Sequence, residues 1–405
     1  MRNIVVEKLK QTPLEKQRVE IVERKGLGHP DYICDAVMEE ISRRLSKEYM
    51  EKTGTILHHN ADKSLLVAGQ AEVRFGGGYV KQPMLFVFGD RATTEFDGVK
   101  IDVKEIAINS AKEWFRKNMR FVDPEEHVKY QVELKPGSAG LVDIFKRGGK
   151  VLPANDTSAA VGYAPMTRTE KIVLKTEQFL NSREFKQRFP ESGEDIKVMG
   201  IRKDRSIQLT VAAPLIESFV KSEGDYFRKK DEIYEEMKEF VREKCEEFDM
   251  KYKCEIYFNT LDKKGKGVEG CYLSITGTSA EDADCGEVGR GNRVNGVIPL
   301  NRPVSAEAAA GKNPVSHIGK IYNFLTHKIA NRIYREVDGI EEVYVWLCSQ
   351  IGKPINKPIV SSVQLVLRNT TLEEIKKDVN FILEDEVANI DKFCKQLIEG
   401  KVRIE

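Results

Sequence analysis

Strand-like runs come along this chain in consecutive pairs. Ile196–Ile201 is followed closely by Ile207–Ala213, and Ser64–Phe75 by Met84–Gly89. Lys129–Leu134, Glu255–Asn259, Tyr272–Thr276, Glu342–Leu347 and Val360–Leu367 have the same alternating or β-branched character. Long helical patterns stand between them at about 31–53, 103–119, 225–248, 315–337 and 372–398. Strands that follow one another without an intervening helix argue against a doubly wound parallel sheet, whose crossovers need a helix each time. The pattern predicts an α+β chain of antiparallel sheets with helices on one face, in roughly three sets over 405 residues. No sequence repeat and no low-complexity linker marks a boundary. Gly76–Gly78 and Lys135–Lys150 read as loops.

With 65 basic and 64 acidic residues the chain has no global field that would favour nucleic acid or an anionic membrane. No apolar run reaches transmembrane length, and MRNIVVEKLK has no signal-peptide core. Seven scattered cysteines with no CxxC pair argue against structural zinc and a disulfide framework, and point to a reducing cytoplasm.

Three glycine-bearing segments concentrate chemistry. In Ser279–Gly296 the acids Glu281, Asp282 and Asp284 lead through Cys285 and three glycines to Arg290 and Arg293. Carboxylates there suit a divalent cation and the arginines suit phosphate, while glycines let backbone N–H groups approach a ligand. In EAAAGKNPVSHIGKIYN, Lys312 precedes a helix start at Pro314–Ser316, with Lys320 on its first turns. A lysine at a helix N-terminus suits an anion; read alone, Gly-Lys-Asn-Pro is more simply a turn. In ERKGLGHPDYICDA, a strand over Arg18–Val22 enters a glycine turn. His29-Pro30-Asp31 then opens a helix with Ile33, Val37, Ile41 and Leu45 on one face. Taken singly, Asp31 is equally an N-cap and His29 a satisfied polar residue. Asn155 and Asp156 read as turn formers. Asp195 and Lys197 should share one strand face. His58 and His59 should point to opposite faces, which disfavours a shared metal.

In this order, GLGHPDYICDA, ANDTSAAVGYAP, GEDIKVMG, GTSAEDADCGEVGRGNRVNG and AAAGKNPVSHIGKIYN resemble the archaeal type of S-adenosylmethionine synthetase, and the resemblance spans essentially the whole chain. It implies three similar sheet-plus-helix domains about a pseudo-threefold axis, interleaved along the chain. Approximate regions are 1–125 with His-Pro-Asp, 126–250, and 251–405 with Asp-Cys-Gly and Gly-Arg-Gly. It also implies attack of methionine sulfur on C5′ of ATP, then hydrolysis of the released tripolyphosphate to phosphate and diphosphate. Magnesium is implied as cofactor, with potassium stimulatory. A homodimer or larger assembly with active sites between subunits is implied too. Residue by residue, the resemblance assigns His29 to the triphosphate near the breaking bond and Asp31 to magnesium. Lys197, Arg290 and Lys312 go to the phosphates, Asp284 to methionine, and Asp156 to the nucleoside or substrate. Gly137, Ser138, Ala139, Gly140, Leu141 and Val142 match a nucleotide-contacting loop that gates the site. Arg293 and Lys320 are further ATP contacts. Ser316 and Ile318 stand where distant relatives carry a lysine and an aspartate. Lys320 is therefore expected to replace the lysine, with Asp282 as the second magnesium carboxylate. Tyr32 replaces a small polar residue at the helix start.

Overall fold

The computed structural model describes residues 3–146, 149, 151–250 and 252–402. Its larger elements begin with β1 (Ile4–Lys8), β2 (Val19–Lys25), α1 (Pro30–Thr53), β3 (His59–Val67), β4 (Met84–Ala92), α2 (Val103–Asn118) and β5 (Val128–Lys135). Next come α3 (Ala139–Lys146), β6 (Ala159–Ala164), α4 (Arg168–Leu180), α5 (Arg183–Arg188), β7 (Lys197–Lys203), β8 (Ser206–Ala212), α6 (Glu223–Glu247) and β9 (Lys253–Phe258). The chain ends with β10 (Gly286–Glu287), β11 (Ile298–Pro299), α7 (Ile318–Glu336), β12 (Ile340–Cys348), β13 (Val360–Leu367), α8 (Leu372–Ala388) and α9 (Ile390–Glu399).

One string of elements recurs three times: helix, hairpin, helix, with a parallel strand at the hairpin's side. It runs α1-β3-β4-α2-β5, then α4-β7-β8-α6-β9, then α7-β12-β13-α8, where β1 supplies the parallel strand. The sheets have the orders β10-β3-β4-β5, β9-β8-β7-β2-β11 and β1-β13-β12-β6. They are mixed, not antiparallel as the sequence predicted. The strand after each of the first two hairpins returns through a crossover helix, which brings it back parallel. Sheet membership crosses the chain: β2 precedes α1 yet pairs with β7, in register Lys25↔Lys197.

Each set has its own buried cluster, built from the apolar face of its helices and one face of its sheet. Ile33, Val37, Ile41 and Leu45 of α1 are fully buried, as their spacing predicts. Each such side chain contributes about 1.5–3 kcal/mol of burial. The pattern over 372–398 divides at Asn389 into α8 and α9. Helices α4 and α5 had gone unread, although Thr167 and Glu170 form a capping box at the start of α4. Tyr272–Thr276 keeps only Leu273–Ser274 as strand. The predicted loop 135–150 contains α3, and Arg147, Gly148 and Lys150 lie outside the described residues.

Glu170 ties the second set to the third. Its carboxylate accepts from Arg302 Nε and Nη2, both at 3.2 Å, and from the Tyr163 hydroxyl at 2.8 Å. Both charged side chains are wholly buried, 0% exposed. Glu170→Ala would leave the buried guanidinium with Glu342, at 3.6 Å, as its remaining carboxylate, and removing one partner of a buried pair costs up to about 3–5 kcal/mol. A fall of that size in unfolding free energy is expected from urea denaturation followed by circular dichroism.

Candidate active site

Helix α1 organises the site through its acids. His29 is its N-cap, with Nδ1 accepting from the Asp31 amide at 3.2 Å. The imidazole thus takes the capping role that the sequence offered to Asp31, and the Asp31 carboxylate is free for other partners. Burial lowers the His29 pKa to about 4, so the ring is neutral. Asp31, Asp35 and Glu39 follow at four-residue spacing on one helix face, and all three are buried. Asp31 accepts from the Glu287 amide through Oδ1 and from Lys25 Nζ through Oδ2, both at 2.8 Å. Asp35 accepts from the Gly289 and Gly291 amides at 2.7 and 3.1 Å, while burial raises its pKa to about 7. Glu39 accepts from the Gly311 amide at 3.2 Å and pairs with Lys320 at 2.6 Å. One carboxylate stripe therefore pins both glycine turns to one helix. The approach is close enough to require glycine. A Cβ on Gly286 would lie 2.2 Å from the Pro30 carbonyl oxygen, and one on Gly291 2.2 Å from Asp35 Oδ2.

The second sheet brings in the other cations. Lys25 ends β2, where the Asn292 amide side chain both donates to and accepts from its backbone. Its Nζ reaches the Arg290 carbonyl at 2.7 Å as well as Asp31. Lys197, opposite it on β7, pairs with Glu23 at 3.2 Å. Asp195 lies near enough to Lys197 for the ammonium to act on its carboxylate. It precedes the strand, and it accepts from the Ser279 amide and hydroxyl at 2.8 and 2.5 Å. Burial raises its pKa to about 7.

A pocket of about 540 Å³ opens between β3, β4 and the turns around residues 287–290 and 306–312. Its walls carry three cations, Lys63, Arg290 and Lys312, and three acids, Asp62, Glu287 and Glu307. The Arg290 side chain is 70% exposed, with Glu287 4.0 Å away. Lys312 is buried, paired with Asp62 and with Glu307 at 3.1 Å. Asp62 also accepts from Lys63 at 2.7 Å. Burial works against the Asp62 carboxylate, yet Lys312 and Lys63 hold it well below the ordinary carboxylate range.

The remaining residues of interest fall in several places. Arg293 lines a small recess with Asp35 and Asn323. Asp284 is exposed and close enough to Asp195 to act on its charge. Asp282 is exposed, and no ion pair ties it to Asp31 among the described residues. Glu281 serves the fold: it is buried and accepts from Ser274, Ile275 and Thr276. Asp156 sits on a loop whose carbonyl accepts from Ser349 at 2.9 Å. Gly137 lies against the His58 ring, and Ser138 leads into α3, which contains Gly140, Leu141 and Val142. The side chain of Ala139 lies outside the described residues. His58 stacks edge-on with Phe145, while His59 meets the Ser42 hydroxyl at 2.9 Å, so the two rings do part. Tyr32 lines a separate cleft with Met166, Phe324 and Phe393. Among the described residues, no group of three or more His, Cys, Asp or Glu could hold a metal by itself.

A family model described as S-adenosylmethionine synthetase (AdoMet synthetase) matches residues 2–401. The chain belongs to the S-adenosylmethionine synthetase family. It is 49% identical over 416 aligned residues to the S-adenosylmethionine synthase of Hyperthermus butylicus, covering 100% of this chain and 99% of that one. It is 46% identical over 406 residues to that of Pyrococcus furiosus, with 100% and 99% covered. A solved structure of an unusual S-adenosylmethionine synthetase from Campylobacter jejuni matches with a TM-score of 0.57 at 17% identity. That match covers 93% of this chain and 90% of the other, and it speaks for the fold alone. The full-length relatives make this an archaeal-type synthetase, a methionine adenosyltransferase.

Sequence reasoning gave no role to Lys25, Asp35, Glu39 or Glu307, which the structure gathers around this candidate site. Acids at 31, 35 and 39, in line with Ser42 and Ser46 on a face apart from Ile33, Val37 and Ile41, were the available signal. In this synthetase Cys285 is exposed, and its Sγ accepts from the Ala68 amide at 3.3 Å. Sulfur attack by methionine leaves a cysteine no covalent step. Cys285→Ser is therefore expected to keep most activity in a steady-state assay, and a loss of several orders of magnitude in a folded variant would contradict this.

Proposed function

We propose that this synthetase aligns methionine sulfur, C5′ and the leaving oxygen of ATP, and stabilises the charge that grows on the tripolyphosphate. The observation that carries this reading is the turn 286–291. It is bonded to Asp31 and Asp35 at one edge and places Arg290 on the wall of the pocket that also holds Lys63 and Lys312. A thioether sulfur is already nucleophilic and a polyphosphate leaves as an anion, so neither a general base nor a proton donor is needed. Catalysis then rests on position and preorganised charge. Arg290, Lys197 and Lys312 hold phosphate oxygens, and neutral His29 donates a hydrogen bond near the breaking bond. Asp284 takes the methionine amine, Asp156 belongs to the nucleoside side, and Gly137–Val142 gate entry. Arg293 and Lys320 support the phosphate turns from behind. The same cations retain the tripolyphosphate for hydrolysis.

Magnesium binds through one or two carboxylates together with substrate phosphates in sites of this kind, and a buried Asp31 bonded to the turn that walls the cationic pocket fits that donor set. When bound, it would neutralise phosphate charge. Asp31 is the ligand we favour, because no contact brings Asp282 towards the cluster. Potassium is included as a stimulating ion. The recurrent helix–hairpin–helix string supports three domains about a pseudo-threefold axis, with 1–125, 126–250 and 251–405 as their approximate regions. Exposed Leu65, Val19 and Tyr257 on the sheets' outer faces support a homodimer with sites between subunits. No helix among the described residues is long and apolar enough to cross a membrane, and seven free cysteines support a cytoplasmic home. The test is incubation with ATP, methionine, Mg²⁺ and K⁺, followed by phosphorus NMR. Equal amounts of phosphate and diphosphate, dependent on methionine, are expected. ADP as main product would overturn the reading.

A further inference from the structure

We infer that Lys25 is a built-in counter-cation that occupies Asp31 until the nucleotide arrives, and so makes divalent metal binding depend on nucleotide. The inference rests on the reading of Asp31 as a metal ligand and goes beyond it. Both Asp31 oxygens are engaged: Oδ2 holds the Lys25 ammonium at 2.8 Å, and Oδ1 holds the Glu287 amide at 2.8 Å. The pair is shielded from water, with side chains 13% and 10% exposed. Lys25 is not a loose surface lysine. Its backbone is clamped between β7 and the Asn292 amide, and its Nζ makes a second bond, at 2.7 Å, to the carbonyl of Arg290. One ammonium thus bridges the metal-binding carboxylate to the turn that carries the phosphate-directed arginine.

A hard divalent cation needs oxygen donors free of competing charge. An ammonium bonded to the carboxylate denies it one oxygen and adds repulsion at short range. Incoming phosphates change that balance. They offer Lys25 a new acceptor on the pocket side and supply further oxygen ligands for the metal. Asp31 is then released from the ammonium, which turns to the phosphates. Lys197 stands across the strand pair from Lys25, so the freed charge joins an existing cation. The arrangement predicts that metal enters with the nucleotide and scarcely binds the free protein.

The experiment measures Mn²⁺ binding to the whole, nucleotide-free protein by electron paramagnetic resonance of unbound Mn²⁺. Wild type should show no tight site. Lys25→Met should gain one site per chain, at least tenfold tighter, and Lys25→Arg, which keeps the charge, should not. Lys25→Met combined with Asp31→Asn should lose the gain. Should Lys25→Met fail to fold by circular dichroism, Lys25→Gln is read in its place. No gain in the charge-removing variant overturns the proposal, as do an equal gain in Lys25→Arg and tight Mn²⁺ binding by nucleotide-free wild type. A second arm adds the non-hydrolysable imido analogue of ATP. If Asp31→Asn then binds Mn²⁺ as tightly as wild type, the metal role of Asp31 itself has failed, and the Lys25 proposal with it. If Asp31→Asn weakens that binding but Lys25→Met gains nothing, only the Lys25 proposal falls.

Discussion

Gly286→Ala is expected to lower turnover by about a hundredfold or more while the protein stays folded. A methyl group at this position would meet the Pro30 carbonyl oxygen at 2.2 Å and the Pro30 carbonyl carbon at 2.3 Å. Those atoms are backbone at the start of α1, so no rotamer change relieves the clash and the turn must move away. That shift would break the Glu287–Asp31 bond and displace Arg290 from the pocket wall. Misplacement by about 1 Å in such an arrangement can cost about a hundredfold. Gly77→Ala is the control, since nothing lies within 4 Å of a Cβ there. Steady-state kinetics with circular dichroism on both variants decide the matter. Equal activity in the two would show that the contact between the turn and α1 does not set the geometry of the reaction.

Arg290 and Lys197 should matter more in the transition state than in the ground state. Negative charge on the leaving oxygen grows as the C5′–O bond breaks, and loss of one preorganised charge-stabilising group costs about a hundredfold or more in turnover. ATP affinity should fall less, because the other cations still hold the ground-state phosphates. Arg290→Lys should rescue little, since a planar fork bridges two oxygens where an ammonium acts as a point charge. The Arg290 side chain is 70% exposed, and among the described residues its ion-pair partner is Glu287 at 4.0 Å. Kinetics of Arg290→Lys, Arg290→Leu and Lys197→Met provide the check. A change confined to the Michaelis constant for ATP would make these residues docking groups only.

Much of this was legible in the sequence. The face of Ile33, Val37, Ile41 and Leu45 named the buried side of α1, and paired strand runs gave the hairpins β3-β4, β7-β8 and β12-β13. Parallel edges were not legible, because they join residues far apart in the chain, as in Ile4↔Ser361. The glycines of 286–291 were read as room for a ligand. In the structure Gly286 and Gly291 make room for α1 instead. Glu281 looked like a cation ligand, yet it satisfies the backbone amides of its own turn. Lys312 read as suited to an anion beside a helix N-terminus, and its buried pairing with Asp62 was not legible. The sequence around His58 and His59 drew the eye to imidazoles, when the aspartate three residues beyond His59 was the partner. Acids and lysines look alike in sequence whether they face solvent or each other, and only packing separates the two.

The central claim is direct displacement, carried out by alignment and fixed charge without a covalent enzyme intermediate. The most direct test uses ATP made chiral at C5′ by deuterium, with NMR assignment of configuration in the S-adenosylmethionine formed. One in-line attack by sulfur inverts C5′, and inversion is the predicted result. Retention would require two displacements, the first by a group of the protein, and would contradict the account.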